Sequence, residues 1–225
     1  MKKTFAYFTL MIFLSCTRDS DWIYLFDGKD VKGLRGYKME EFPLDSWLIK
    51  EGNLKTIPEK KGVDLISEDT FENFELELEW KLQSGGNSGI FYHLKEGYEG
   101  PPVVAPEYQI IDDENYSQIH NYELKDWQLT AADYAMYVPD TSQKVLYPPG
   151  EWNSSRIVFT PDNAEHWLNG KKVLSFVPWS GDWYERRNSG KWNNAPDYGK
   201  HKTGFIGLQD HGSNLFFRNI KLKKL

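Results

Sequence analysis

Cysteine is almost missing from this chain of 225 residues: Cys16 is the only one. No internal disulfide and no cysteine-based zinc cluster can form. Long apolar runs are missing too, except at the extreme N-terminus, which excludes a multipass helical membrane protein. The 27 Lys and Arg are scattered and outnumbered by 33 Asp and Glu, so the net charge is -6 and no basic stripe marks a nucleic-acid partner. Several catalytic signatures are absent as well. There is no Gly-x-Ser-x-Gly elbow, no phosphate-binding Gly-rich loop and no His-Glu-x-x-His. Carboxylates, amides, histidines and aromatics remain, which is the kit of a carbohydrate-active site or a sugar-binding module.

Aromatics are abundant, at 16% with nine Trp and thirteen Tyr, and hydrophobic residues reach 40%. That is enough apolar surface for a core, so disorder is excluded. The length suits one large domain. The N-terminus reads as an address. Lys2 and Lys3 precede an apolar stretch over residues 5–14, then Ser15 and Cys16. A small residue before a lone cysteine resembles a bacterial lipoprotein cleavage site, although Phe13 stands where Leu is usual. The expected organisation is a signal peptide over residues 1–15, a lipidated tether over 16–21 with Cys16 as the anchor, and a single domain over 22–225. The expected location is the periplasmic side or the surface of an outer membrane, with membrane contact only through the lipid.

The remainder reads as strands between loops. Residues 74–82 alternate strictly, with Phe74, Leu76, Leu78, Trp80 and Leu82 on one face and Glu75, Glu77, Glu79 and Lys81 on the other. Further strands are expected over residues 22–26, 47–49, 54–57, 90–94, 107–112, 156–160, 204–210 and 214–222. Asn169-Gly170 marks a hairpin between residues 165–168 and 171–177. No stretch shows a sustained helical period, and 116–127 has room for one short helix. Many short strands with frequent turns predict an all-β, antiparallel double-sheet jelly roll of the concanavalin A-like type. The loops over 115–150 and 178–203 are long and carry Trp127, Trp183 and Trp192, candidates for stacking on a pyranose.

Strand alternation nominates a site. Tyr108 and Ile110 should face the core, so Glu107 and Gln109 point outward; in the same way Gln209 and His211 point outward beside Ile206 and Leu208. Glu79, Lys81 and His93 join them if their strands neighbour each other on one sheet. Each has a plainer explanation. Alternating charges on a strand commonly form a solvated face, Glu79 with Lys81 fits a cross-strand ion pair, and His211 fits a turn-capping role. Asp210 is expected to fix the turn or to orient His211. A divalent cation would want oxygen ligands such as Glu107 and Asp112, yet no dedicated loop motif is present.

Taken together, certain segments resemble the 3-keto-disaccharide hydrolase domain family across nearly the whole chain. These are Leu-Phe-Asp-Gly-Lys-Asp-Val at 25–31, Phe-Glu-Leu-Glu-Leu-Glu-Trp-Lys at 74–81 and Gly-Gly-Asn-Ser-Gly-Ile-Phe-Tyr at 85–92. Glu-Tyr-Gln-Ile-Ile-Asp at 107–112, Pro-Gly-Glu-Trp-Asn at 149–153 and His-Trp-Leu-Asn-Gly-Lys-Lys-Val at 166–173 follow. Ile-Gly-Leu-Gln-Asp-His-Gly at 206–212 and Phe-Arg-Asn-Ile-Lys at 217–221 complete the set. The resemblance implies a concanavalin A-like jelly roll acting on 3-keto-glycosides. His93 departs from the Arg usual there, which bears on substrate preference.

A 3-keto sugar suggests elimination followed by hydration, with His211 and Glu107 as the acid–base pair and Glu79, Lys81, His93, Gln109, Gln209 and Trp127 binding substrate. The alternatives are a non-catalytic carbohydrate-binding module and a retaining glycosidase of the laminarinase type. The latter needs Glu-x-Asp-x-x-Glu, whereas residues 75–79 supply only Glu-x-Glu-x-Glu.

Overall fold

The computed structural model describes residues 21–58 and 62–225. The expected signal peptide and the Cys16 anchor lie outside the described residues. In chain order the strands are β1 (Ile23–Phe26), β2 (Leu34–Gly36), β3 (Trp47–Lys50), β4 (Asn53–Thr56), β5 (Leu65–Ser67), β6 (Phe74–Leu82) and β7 (Asn87–Leu94). They continue with β8 (Glu107–Ile111), β9 (Asn153–Phe159), β10 (Ala164–Leu168), β11 (Lys171–Phe176), β12 (Phe205–Leu208) and β13 (Leu215–Lys224). Two short helices interrupt them, α1 (Tyr116–His120) and α2 (Gly181–Ser189).

The strands form two antiparallel sheets. One has eight strands in the order β11-β10-β9-β6-β13-β4-β3, with β1 also paired to β13; the other has five in the order β2-β5-β12-β7-β8. This is the expected jelly-roll sandwich. The apolar side of β6 closes on the inward residues of the opposite sheet, Leu65, Ile90, Tyr92, Tyr108, Ile110, Ile206 and Leu208, all buried. A second, smaller cluster of Tyr37, Ile66, Phe91, Leu94, Val104 and Ala105 covers part of the outer face of the five-stranded sheet.

Three elements differ from expectation. β2 and β5 are three residues each, too short to show alternation. Helix α2 lies in a stretch read as loop. It is set by its ends rather than by a buried face: the Ser180 side chain accepts from the Trp183 N–H, Asp182 sits in the first turn and Arg186 and Arg187 in the last. Only Trp183 is buried, so no period betrays it.

Candidate active site

The outer face of the five-stranded sheet brings β5, β12, β7 and β8 side by side. Gly207 pairs with Phe91, and Phe91 with Glu107; Gly89 pairs with Gln109, and the Gln209 N–H donates to the Gly89 carbonyl at 2.9 Å. Outward residues therefore lie in register across the sheet. Gly89 and Gly207 give neighbouring side chains room on this face; a Cβ on Gly207 would meet Phe91 Cβ at 3.1 Å and Leu94 Cδ2 at 3.2 Å. The Glu107 carboxyl lies over Gly89, where a Cβ would stand 2.0 Å from Oε1.

Glu107 is buried, yet its carboxyl has no hydrogen-bond partner among the described residues. Burial pushes it up to about 8, helped by the carboxyls of Asp64 and Asp133 and opposed by the Lys191 ammonium. Asp64, just before β5, accepts the Asp210 N–H at 2.8 Å. Desolvation raises both Asp64 and Asp210 to about 6. Asp210 is packed hard against Gly62, where a Cβ would meet Oδ2 at 1.6 Å.

Behind Glu107 lies a buried polar chain that alternation did not reveal. Residues beyond α1 run along the edge strand β8: Ala131 N–H donates to Gln109 O at 2.9 Å and Tyr134 N–H to Glu107 O at 2.9 Å. This puts Asp133 opposite Tyr108, fully buried. Its carboxyl, raised to about 8 by desolvation, accepts the Tyr92 hydroxyl at 3.1 Å. His166 Nδ1 lies 3.0 Å from the Ala131 carbonyl, so Nδ1 carries the proton and Nε2 faces Tyr92 OH at 3.5 Å. Burial lowers His166 to about 4, which keeps it neutral.

The two long loops wall this edge. Tyr198 stacks on Trp192 at 4.1 Å and on Trp183 at 6.4 Å. Trp192 Nε1 donates to Tyr134 O at 3.2 Å, and Lys191 Nζ donates to Tyr134 OH at 3.1 Å. Trp183 and Trp192 are buried in this packing and offer no open platform, contrary to expectation. Trp127 is half-buried, meets Tyr134 edge-on at 5.2 Å, and shares a groove with Lys191.

Of the nominated residues, Glu107, Gln109 and Gln209 fall on one face. His211 lies beyond the end of β12, exposed and without a hydrogen bond, ion pair or ring contact to a described residue. Asp210 does not orient it. Asp210 Oδ1 accepts the Gly212 N–H at 3.0 Å, and the backbone of Asp210 serves Asp64. Glu79 and Lys81 have the expected parity but belong to the other sheet. Glu79 Oε2 binds Arg218 Nε and Asn219 Nδ2, each at 2.6 Å, and Lys81 lies over Trp152 and Phe216.

His93 is inside rather than outside. Phe205 pairs with Leu94 but Gly207 with Phe91, so β7 carries one extra residue, and His93 absorbs it at φ 52°. Its ring meets Phe159 edge-on at 4.5 Å, and Nε2–H donates to Glu72 O at 2.8 Å. Asp112 does not share a cation with Glu107. Five residues of strand, about 17 Å, separate them on opposite faces. Asp112 instead fixes a turn, accepting Gly85 N–H at 2.8 Å and Glu114 and Asn115 N–H at 3.2 Å each. Among the described residues no trio of His, Cys, Asp or Glu gathers as a metal site.

Comparison with known proteins places the chain. Residues 21–223 match the family described as the 3-keto-alpha-glucoside-1,2-lyase-like domain. A 3-keto-disaccharide hydrolase of Bacteroides thetaiotaomicron is 35% identical, over 92% of this chain and 80% of its own length. A crystal structure of a proposed glycosyl hydrolase from Parabacteroides distasonis superposes with a TM-score of 0.83 at 42% identity, covering 92% of this chain and 94% of that one. The carbohydrate-binding module CBM66 of Bacillus subtilis, at 9% identity and a TM-score of 0.53, shares the fold over 85% of this chain and 96% of its own.

Proposed function

Because the chain belongs to the 3-keto-disaccharide hydrolase family, we propose that it cleaves 3-keto-glycosides by elimination and hydration at Glu107. A carbonyl at C3 acidifies the hydrogen on C2. A base removes it, the electrons pass to the C3 oxygen, and the enolate expels the aglycone oxygen from C1. That oxygen takes a proton, and water then adds across C1 and C2, its hydroxyl to C1 and its proton to C2. Bond breaking thus starts from a C–H acid, not from the oxocarbenium-like state of two-carboxylate glycosidases.

The observation that carries this reading is Glu107, a buried residue whose carboxyl has no hydrogen-bond partner among the described residues and is held over a glycine. A carboxylate raised to about 8 is a far stronger base than a solvated one, though roughly one in ten is ionised at pH 7. The Lys191 ammonium, whose charge reaches Glu107, is suited to the enolate oxygen; such a donor is worth roughly 3 kcal/mol of barrier. His211, exposed at the strand end, serves the leaving oxygen. Gln109, Gln209 and Trp127 hold hydroxyls and a ring face.

The test offers the protein a plain glucoside and its 3-keto analogue. Cleavage of the keto form alone is expected. Cleavage of neither makes it a binding module, and cleavage of the plain sugar refutes the elimination route. We also propose that Cys16 is lipidated after export; a Cys16→Ser protein that still partitions into membranes would refute this.

A further inference from the structure

We infer that the outer face of the eight-stranded sheet holds a second carbohydrate site, for a neutral oligosaccharide, on the opposite side of the sandwich from Glu107. Pairing across four strand junctions sets Trp167, Arg156, Glu77, Lys221 and Tyr24 in one row. At the strand spacing of about 4.8 Å the row runs about 19 Å, the reach of several sugar units rather than one. It floors a groove of about 440 Å³ that also takes in Glu79 and Ser154, within the usual size of a ligand site.

The two ends are aromatic. Tyr24 is 52% exposed and has no ring or cation partner among the described residues. Trp167 is pinned, its Nε1 donating to Glu165 Oε2 at 2.8 Å and the Arg156 guanidinium lying 4.9 Å from its ring. Between them the charges are already matched. Glu77 meets Lys221 at 2.9 Å and Arg156 at 3.9 Å, and Glu79 meets Arg218 at 2.6 Å. A charged ligand would have to break one of these pairs. Hydroxyl groups can bridge them instead, since each carboxylate keeps spare lone pairs and each cation spare N–H groups. Paired charges between aromatic walls therefore select a neutral, hydroxyl-rich chain. The site would hold the enzyme on a glycan while the other sheet works on a released or oxidised end.

The experiment is calorimetric titration of the full protein with cellotetraose, laminaritetraose and maltotetraose, and with tetragalacturonic acid as the charged comparison. Saturable binding of at least one neutral tetramer is expected, weakened tenfold or more by Tyr24→Ala and by Trp167→Ala and unchanged by Glu107→Gln. Turnover of a small 3-keto-glucoside should be unchanged in Tyr24→Ala, a surface change that leaves the fold intact. Failure of all three neutral tetramers to bind, preference for the charged one, or binding that survives Tyr24→Ala but not Glu107→Gln would overturn the second site. None of these outcomes depends on whether Glu107 is the base.

Discussion

Gly89→Ala puts one methyl group against the Glu107 carboxyl. The new Cβ would lie 2.0 Å from Glu107 Oε1, 2.7 Å from Cδ and 2.8 Å from Cγ. Ordinary contact begins near 3.4 Å, so the carboxyl must withdraw by more than 1 Å. Gly89 has no left-handed φ, so the backbone accepts alanine, and what moves is the free end of a flexible side chain. Displacing a reacting group by about 1 Å costs roughly 10²-fold in rate, or about 2.7 kcal/mol of barrier. Stability should hardly change, since alanine recovers about 0.4–1 kcal/mol of backbone entropy against the local crowding. The assay is kcat/KM on a 3-keto-glucoside alongside a thermal melt. A variant within threefold of the parent would refute the claim that Glu107 acts from above Gly89, and a collapse of the melt would show that the glycine serves the fold instead.

If ionised Glu107 is the base, kcat/KM rises with pH through about 8; Lys191→Met removes the charge that lowers Glu107, so the limb moves to higher pH in a pH–rate profile. Stability carries the opposite sign. The folded Glu107 keeps its proton up to about 8 while the unfolded one loses it near 4.5, so parental stability is eroded as pH climbs between those values, by at most about 1.4 kcal/mol per pH unit. Glu107→Gln lacks this loss, and urea titrations should show its relative stability growing over that window and flat below it. His93→Ala removes a buried ring packed on Phe159 and should cost about 3 kcal/mol in denaturation while KM stays within twofold.

Much of the fold is legible because β6 alternates without a fault and Asn169-Gly170 writes its own turn. The outward facing of Glu107 and Gln109 follows from the apolar pair that alternates with them, Tyr108 and Ile110. Parity tells which face of a strand a residue occupies, but not which sheet the strand joins. Glu79 and Lys81 were placed on the correct kind of face and the wrong side of the molecule, since β6 pairs with β9 and β13 rather than β7. At His93 parity itself fails, because a bulge inserts a residue and no local signal in Phe91-Tyr92-His93 announces it. Asp64 escaped notice because β5 has only three residues. Asp133 follows Ala131 and Ala132, both buried, and small residues beside an acid are the one hint that this loop runs against a strand. His166 sits among alternating residues of β10 and was readable as inward, though its partner Tyr92 is 74 positions away.

The central claim is that the carboxyl of Glu107 removes the hydrogen at C2 of a 3-keto sugar. It is tested most directly by proton NMR of a 3-keto-glucoside in deuterium oxide with the parental protein and with Glu107→Gln. Loss of the C2 proton signal into solvent is predicted with the parent, at a rate at least as fast as cleavage, and a drop of 10²-fold or more in the variant. Exchange at an undiminished rate in Glu107→Gln, or cleavage by the parent with the C2 proton retained, would contradict it.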